Sequence, residues 1–209
     1  MEPTSEPIRT ILRQAEFSLT IKRSRFIGRT YKRSSPQEAL AAAKDAQERY
    51  RDADHNCWAY RAGTTGEQAR YDDDGEPGGT AGPPILEVLK RSRVTNTLVV
   101  VTRYFGGIKL GAGGLVRAYG DAAKGVLAES GFKDLRWNTH VLATVPYALL
   151  AAIEKFAEQE GFEVVSRVFQ ENVTLGFRVP AEREPDFRAF FANLVGGKSS
   201  LLVTGEEFS

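Results

Sequence analysis

A single cysteine, Cys57, stands in 209 residues. One thiol excludes any disulfide within the chain and fits a reducing, cytoplasmic setting. Long apolar runs are missing too. No stretch is long enough to span a membrane, and the opening MEPTSEPIRTILR lacks the apolar core of a secretory signal. Nor is there a strong excess of charge of one sign, since the net charge is +1. That charge is unevenly placed. Residues 137–209 carry six Lys/Arg against ten Asp/Glu, net −4, which leaves +5 for residues 1–136. The asymmetry points to an anionic partner for the first part of the chain, with ordinary surface solvation as the alternative.

What is present is ordinary for a soluble globular protein: 42% hydrophobic and 26% charged residues, in a length that allows one large domain or two small ones. Residues 1–16 read as a polar extension. Residues 17–21 alternate apolar and polar like a half-buried strand, and 24–31 form a second strand close enough to pair with it. Ser35-Pro36-Gln37-Glu38 opens an Ala-rich helix to about residue 50. Residues 55–61 form an aromatic-rich strand. A long acidic Gly/Pro loop (71–84) follows, then a short helix from Pro83-Pro84. Residues 95–103 are the strongest strand, with Leu98-Val99-Val100-Val101 apolar on both faces and so central in its sheet. A helix from about 114 to 130 stops at Gly131. Beyond it the order is strand 140–145, helix 146–159, strands 162–169 and 172–179, helix 184–194 and strand 201–205. That βαββαβ order is ferredoxin-like. The reading gives two domains, 1–135 and 136–209.

Between the strongest strand and the long helix lies VVVTRYFGGIKLGAGGLVR, with Gly106, Gly107, Gly111, Gly113 and Gly114 among Arg103, Lys109 and Arg117. Glycines let a backbone approach a ligand, and helix N-terminal N–H groups receive anions. The spacing fits neither G-x-G-x-x-G, because Val116 stands where glycine or alanine is needed, nor a P-loop. The functional reading is a phosphate site built from backbone and cations, with Tyr104 and Phe105 stacking on bases. The structural alternative is tight strand–helix packing. Lys22, Arg23 and Arg25 make a second basic cluster, which joins the first only if the fold brings them together.

Two further clusters bear on chemistry. Asp72, Asp73, Asp74 and Glu76 offer oxygen ligands for a divalent cation or an acid–base pair. They fail the EF-hand pattern, and the preferred reading is a structural or partner-binding loop, with no metal and no cofactor. His55 and Cys57 share a strand face and invite comparison with a nucleophile–base pair. No third group is evident to orient the base, so no catalytic residue is assigned.

Four separated motifs, taken in order, resemble the IMPACT/YigZ family: Ser24-Arg25-Phe26-Ile27; Asp54-His55-Asn56-Cys57-Trp58-Ala59-Tyr60-Arg61; Asp73-Asp74-Gly75-Glu76-Pro77 with Gly79-Thr80-Ala81-Gly82; and Val101-Thr102-Arg103-Tyr104-Phe105-Gly106-Gly107 with Leu110-Gly111. The resemblance implies an α+β protein. Its first domain would be similar to domain 2 of ribosomal protein S5, and its second to the ferredoxin-like domains of elongation factor G. It also implies a role in translation control. Eukaryotic relatives carry an additional N-terminal domain and a kinase-regulating role, neither of which transfers to this chain. The expectation is a cytoplasmic, non-enzymatic protein that binds RNA or the ribosome, with a translation-associated protein as a further partner and no membrane. The alternative is an enzyme on a phosphorylated or nucleotide substrate, whose cleft gathers His55, the Asp72–Glu76 loop and the glycine loop.

Overall fold

A computed structural model describes residues 8–195 and 200–208. The chain divides into two compact units, Met1–Leu135 and Arg136–Ser209. The first seven residues of the expected extension lie outside the described residues.

The first unit is built on a five-stranded antiparallel sheet. Its order is β2 (Glu16–Ile21), β3 (Ser24–Lys32), β6 (Thr97–Tyr104), β4 (His55–Ala62) and β5 (Gln68–Asp72). The doubly apolar run puts β6 at the centre, as expected. Val99 and Val101 of β6, with Cys57 and Ala59 of β4, face one side. There α2 (Gly82–Arg91) and α3 (Ala112–Ser130) cover them. Leu98 and Val100, with Trp58, Tyr60 and Ala62, face the other side, under α1 (Pro36–Arg49). That helix buries only alanines (Ala39, Ala42, Ala43, Ala46), so it lies close over the stacked Trp58 and Tyr60 rings. Ser35 caps it, accepting from the Glu38 N–H at 3.3 Å.

Three strands escape a reading by apolar pattern. The β5 edge strand, QARYD, is exposed throughout and has no buried face to alternate. β1 (Ile8–Ile11) and β7 (Phe132–Leu135) are four residues each and pair with one another, with one further bridge from Arg9 to Val94. The described part of the supposed extension is therefore a strap. Arg9 donates its N–H to Arg93 and accepts from Thr95, and Ile11 enters the core at 1% exposure.

The second unit runs β8 (Trp137–Val145), α4 (Tyr147–Glu160), β9 (Glu163–Phe169), β10 (Val173–Pro180), α5 (Glu184–Val195) and β11 (Ser200–Phe208). The sheet order is β11-β8-β10-β9, all antiparallel. This is the βαββαβ order of a ferredoxin-like unit. Phe156, Phe162, Phe177 and Phe187 interlock at its centre. Among the described residues, no helix is long and apolar enough to cross a membrane.

The strap yields a paired prediction. Thr10 is fully buried and its hydroxyl has no partner, so Thr10→Val is expected to stabilise the fold by about 1 kcal/mol. Ile11→Ala is expected to cost about 2–5 kcal/mol. Urea unfolding of the two variants measures both; a strap that merely lay on the surface would leave both unchanged.

Candidate functional site

Strand alternation turns Arg103, at the end of β6, toward the helices beside Val99 and Val101. Its side chain is 7% exposed, and its Nη1 donates to Glu76 Oε1 at 2.5 Å. The Tyr119 hydroxyl of α3 donates to the same oxygen at 2.7 Å. The rings of Phe26 and Phe105 flank the guanidinium at 5.5 and 5.4 Å. Arg103, expected from the sequence to contact phosphate, is thus buried, with its charge facing a carboxylate that is 2% exposed.

The acidic loop exists to deliver Glu76. Asp73 accepts from the N–H groups of Gly79, Ala81 and Gly82 at 2.8–2.9 Å, capping α2 from outside the helix. Asp74 accepts from Asn56 N–H at 2.6 Å and from Gln47 at 3.2 Å, fastening the loop to β4 and α1. Asp72 accepts from Asp74 N–H at 2.7 Å. These three carboxylates hold backbone in place and do not converge on a ligand. Among the described residues, no three His, Cys, Asp or Glu side chains are grouped to hold a metal ion.

His55 and Cys57 share a face of β4, but Glu76 and Tyr119 separate their roles. The His55 ring donates Nδ1–H to the Asp74 carbonyl at 2.8 Å, the carbonyl being an acceptor only. Nε2 then stands 3.9 Å from Glu76 Oε1. Cys57 is fully buried, 3.0 Å from the Asp73 carbonyl oxygen and 3.4 Å from the Tyr119 hydroxyl. Burial pushes its thiol well above the ordinary range, against the opposing pull of the Tyr119 hydrogen bond. Burial, then the neighbouring Cys57 and Glu76, pushes the Tyr119 phenol up as well. A thiol held protonated in the core is no nucleophile.

A cleft of about 400 Å³ opens above this floor. Asp54, His55, Glu76, Pro77, Arg103, Phe105, Lys109, Leu110, Gly111, Ala112 and Leu115 line it. His55, Glu76 and the glycine loop meet at this cleft, while Asp72, Asp73 and Asp74 stay out of its lining. Gly111 precedes α3 with φ +73°, ψ 164°, a backbone that favours glycine, and no side chain caps the helix. Gly113 and Gly114 lie inside its first turn, so they are not turn residues.

The second basic cluster does reach the glycine loop. Lys22 and Arg23 form the two-residue β2–β3 turn, and Arg25 lies opposite Tyr104 in the ladder. Gly106 packs so tightly on this turn that a Cβ there would stand 2.0 Å from the Arg23 carbonyl carbon, and its N–H donates to Ser24 Oγ at 3.2 Å. Gly107 beside it has φ +83°. Phe105 is 45% exposed. Tyr104 alternates to the opposite face of the sheet and donates its hydroxyl to Asp52 at 3.0 Å, so it does not share a stacking platform with Phe105. Arg117 lies elsewhere, in a groove between α2 and α3 with Arg91 and Lys124. Sequence reasoning gives Ser24, Asp54 and Tyr119 no site role: the first two stand only within the family motifs, and a tyrosine within an apolar helix face carries no signal of its own.

Residues 22–127, just over half the chain, match the family model of the Impact N-terminal domain. The chain belongs to the IMPACT family. Residues 144–198 match a domain of unknown function, DUF1949. The IMPACT family member YvyE of Bacillus subtilis is 37% identical over 92% of this chain and 88% of its own length. The IMPACT family member YigZ of Escherichia coli is 35% identical over 89% and 92%. A solved structure described as a hypothetical protein covers 97% of this chain and 99% of its own, with 32% identity and a TM-score of 0.63. The mixed α+β architecture with antiparallel sheets is thus shared with a solved relative.

Cys57 and Tyr119 make stability fall in alkali. Both raised groups stay neutral in the fold, while the unfolded chain ionises near ~8.5 for the thiol and ~10 for the phenol. Their contribution is full below about pH 8.5 and is lost as pH rises, by about 1.4 kcal/mol per pH unit for each group ionised in the unfolded chain alone. Urea midpoints from pH 7 to 11 are expected to show this decline, and Cys57→Ala to delay its onset toward the phenol range. An unchanged onset would contradict the assignment.

Proposed function

We propose that this IMPACT family member is a cytoplasmic, non-enzymatic RNA- or ribosome-binding protein with a role in regulating translation. One observation supports it above the others: Lys22 and Arg23, at the tip of the β2–β3 hairpin, have φ +46° and +66°. A two-residue turn with both φ values positive is one that Asn-Gly fills most easily. Placing two long cations there costs stability, and a strained residue at an exposed tip is a pointer to function. With Arg25 and Lys109 they would meet successive phosphates, and Phe105 would stack on a base. The nearby Asp52 and Asp54 carboxylates are occupied by the Tyr104 hydroxyl and the Phe105 N–H, which lessens their repulsion.

The finer likenesses belong to this proposal. In it, the first unit is built like domain 2 of ribosomal protein S5, the second like the ferredoxin-like domains of elongation factor G. The acidic second unit would dock on a translation-associated protein rather than on RNA. The second reading, an enzyme on a phosphorylated or nucleotide substrate, is favoured by the His55 ring, which its Asp74 contact fixes at the wall of the cleft.

The test is co-sedimentation with ribosomes and with naked RNA across a salt series, beside the double substitution Lys22→Asn, Arg23→Gly. The wild-type chain is expected to bind with a steep salt dependence. The double variant is expected to gain on the order of 1 kcal/mol in stability. Its log–log salt slope is expected to fall by ~0.7 for each phosphate of single-stranded RNA that it no longer neutralises. A more stable variant that binds as before would reject the hairpin as the contact. No binding by either protein at low salt would reject the RNA reading and favour the enzyme.

A further inference from the structure

We infer that the cleft between the acidic loop and the start of α3 is a phosphomonoester site. It would take the terminal phosphate of a free nucleotide or of a phosphorylated RNA end. The inference does not depend on RNA binding along the hairpin.

Its donors come from separate parts of the chain. Lys109 is exposed on the cleft, and no ion pair engages it among the described residues. The first turn of α3 enters the cleft through Ala112, with no side-chain cap on its N–H groups. Arg103 lines the same wall, 5% exposed as a residue, and its buried Nε has no hydrogen-bond partner among the described residues. An unpaired guanidinium nitrogen inside a fold is costly, and a small adjustment that turns it to an anion would satisfy it.

The carboxylates in the lining are already engaged. Glu76 takes the Arg103 Nη1 and the Tyr119 hydroxyl on one oxygen, and Asp54 takes the Phe105 N–H at 2.7 Å. A helix N-terminus and a lysine around an already neutralised ion pair favour a dianion. Size and shape set the rest. About 400 Å³ is within the range of small-molecule sites. Phe105, Leu110, Leu115 and Pro77 supply apolar wall for a sugar or base. Glu76 and Arg103, both hydrogen-bonded into one cluster with Tyr119, line its wall. A terminal phosphate, with three free oxygens and two charges, suits donors drawn from several segments. An internal phosphodiester has two free oxygens, and its chain must leave on both sides.

The experiment is amide NMR of the full chain, titrated with inorganic phosphate, adenosine and adenosine 5′-monophosphate, and with a short RNA bearing a 5′-phosphate or a 5′-hydroxyl. Adenosine 5′-monophosphate is expected to shift the amides of Gly111–Leu115 saturably, and adenosine to leave them in place. Lys109→Ala, at an exposed position, is expected to weaken the affinity tenfold or more. Arg117→Ala, in the other groove, and the hairpin double variant are expected to bind as the wild type does. Preference for the 5′-phosphorylated RNA identifies an RNA end, and indifference to it, with the mononucleotide bound, identifies a free nucleotide; both uphold the site. The proposal is overturned if no phosphomonoester shifts these amides, or if Lys109→Ala binds as tightly as the wild type. It is overturned too if adenosine binds equally well. Absence of RNA co-sedimentation by the wild-type chain, with its mononucleotide binding intact, would sink the RNA reading alone.

Discussion

The ion pair between Glu76 and Arg103 is the interaction on which the first unit's functional face depends. Two charges that are almost fully out of water attract strongly, but each has lost most of its hydration. The pair is tolerable because Tyr119 adds a second donor to the same carboxylate oxygen. Those three residues come from the acidic loop, the central strand and the long helix, so one cluster fixes three segments at once. The glycine loop begins two residues after Arg103. The wall of the cleft, the start of α3 and the seat of the hairpin on Gly106 therefore all take their position from this pair. Removing one member leaves an uncompensated buried charge, at a cost of about 3–5 kcal/mol.

Around that rigid floor the exposed parts are arranged against local preference. Lys22 and Arg23 occupy a turn that suits Asn-Gly, and α3 begins without a capping side chain. Asp73, a residue type that readily caps its own helix, instead caps α2 across a loop of several residues. The strained hairpin tip and the uncapped start of α3 flank the buried core of β4, β6 and α3, while positive φ occurs also at Arg93 and Asn96. The +5 of the first part of the chain is spread over several faces, and Arg117 with Lys124 lies in a groove of its own.

Much of the fold is legible in the sequence because its signals are local. The doubly apolar Leu98–Val101 run reads as a central strand, Ser35-Pro36 as a helix start, and the C-terminal alternation as βαββαβ. The strands β1, β5 and β7 are not legible, since they are short or polar and owe their existence to partners far along the chain. The site is half legible. Residue types at the glycine loop signal an anion, and the basic hairpin reads as a fragment in need of a neighbour. Which cation is buried cannot be read. Arg103 differs from Lys109 only in lying at an inward position of β6, where the buried Glu76 meets it. The acidic run misleads in the same way: four carboxylates look like ligands in sequence, yet three spend their lone pairs on backbone N–H groups.

Amide hydrogen exchange on Glu76→Gln, Arg103→Met and the double variant tests whether this pair organises the site. Each single variant is expected to lose protection together in residues 73–82 and at the start of α3. The double variant, with no stranded charge, is expected to recover global stability while the cleft rim stays less protected than in the wild type. Loss of protection confined to the mutated residue's own segment would contradict the account, because the acidic loop and the glycine loop would then hold their positions independently.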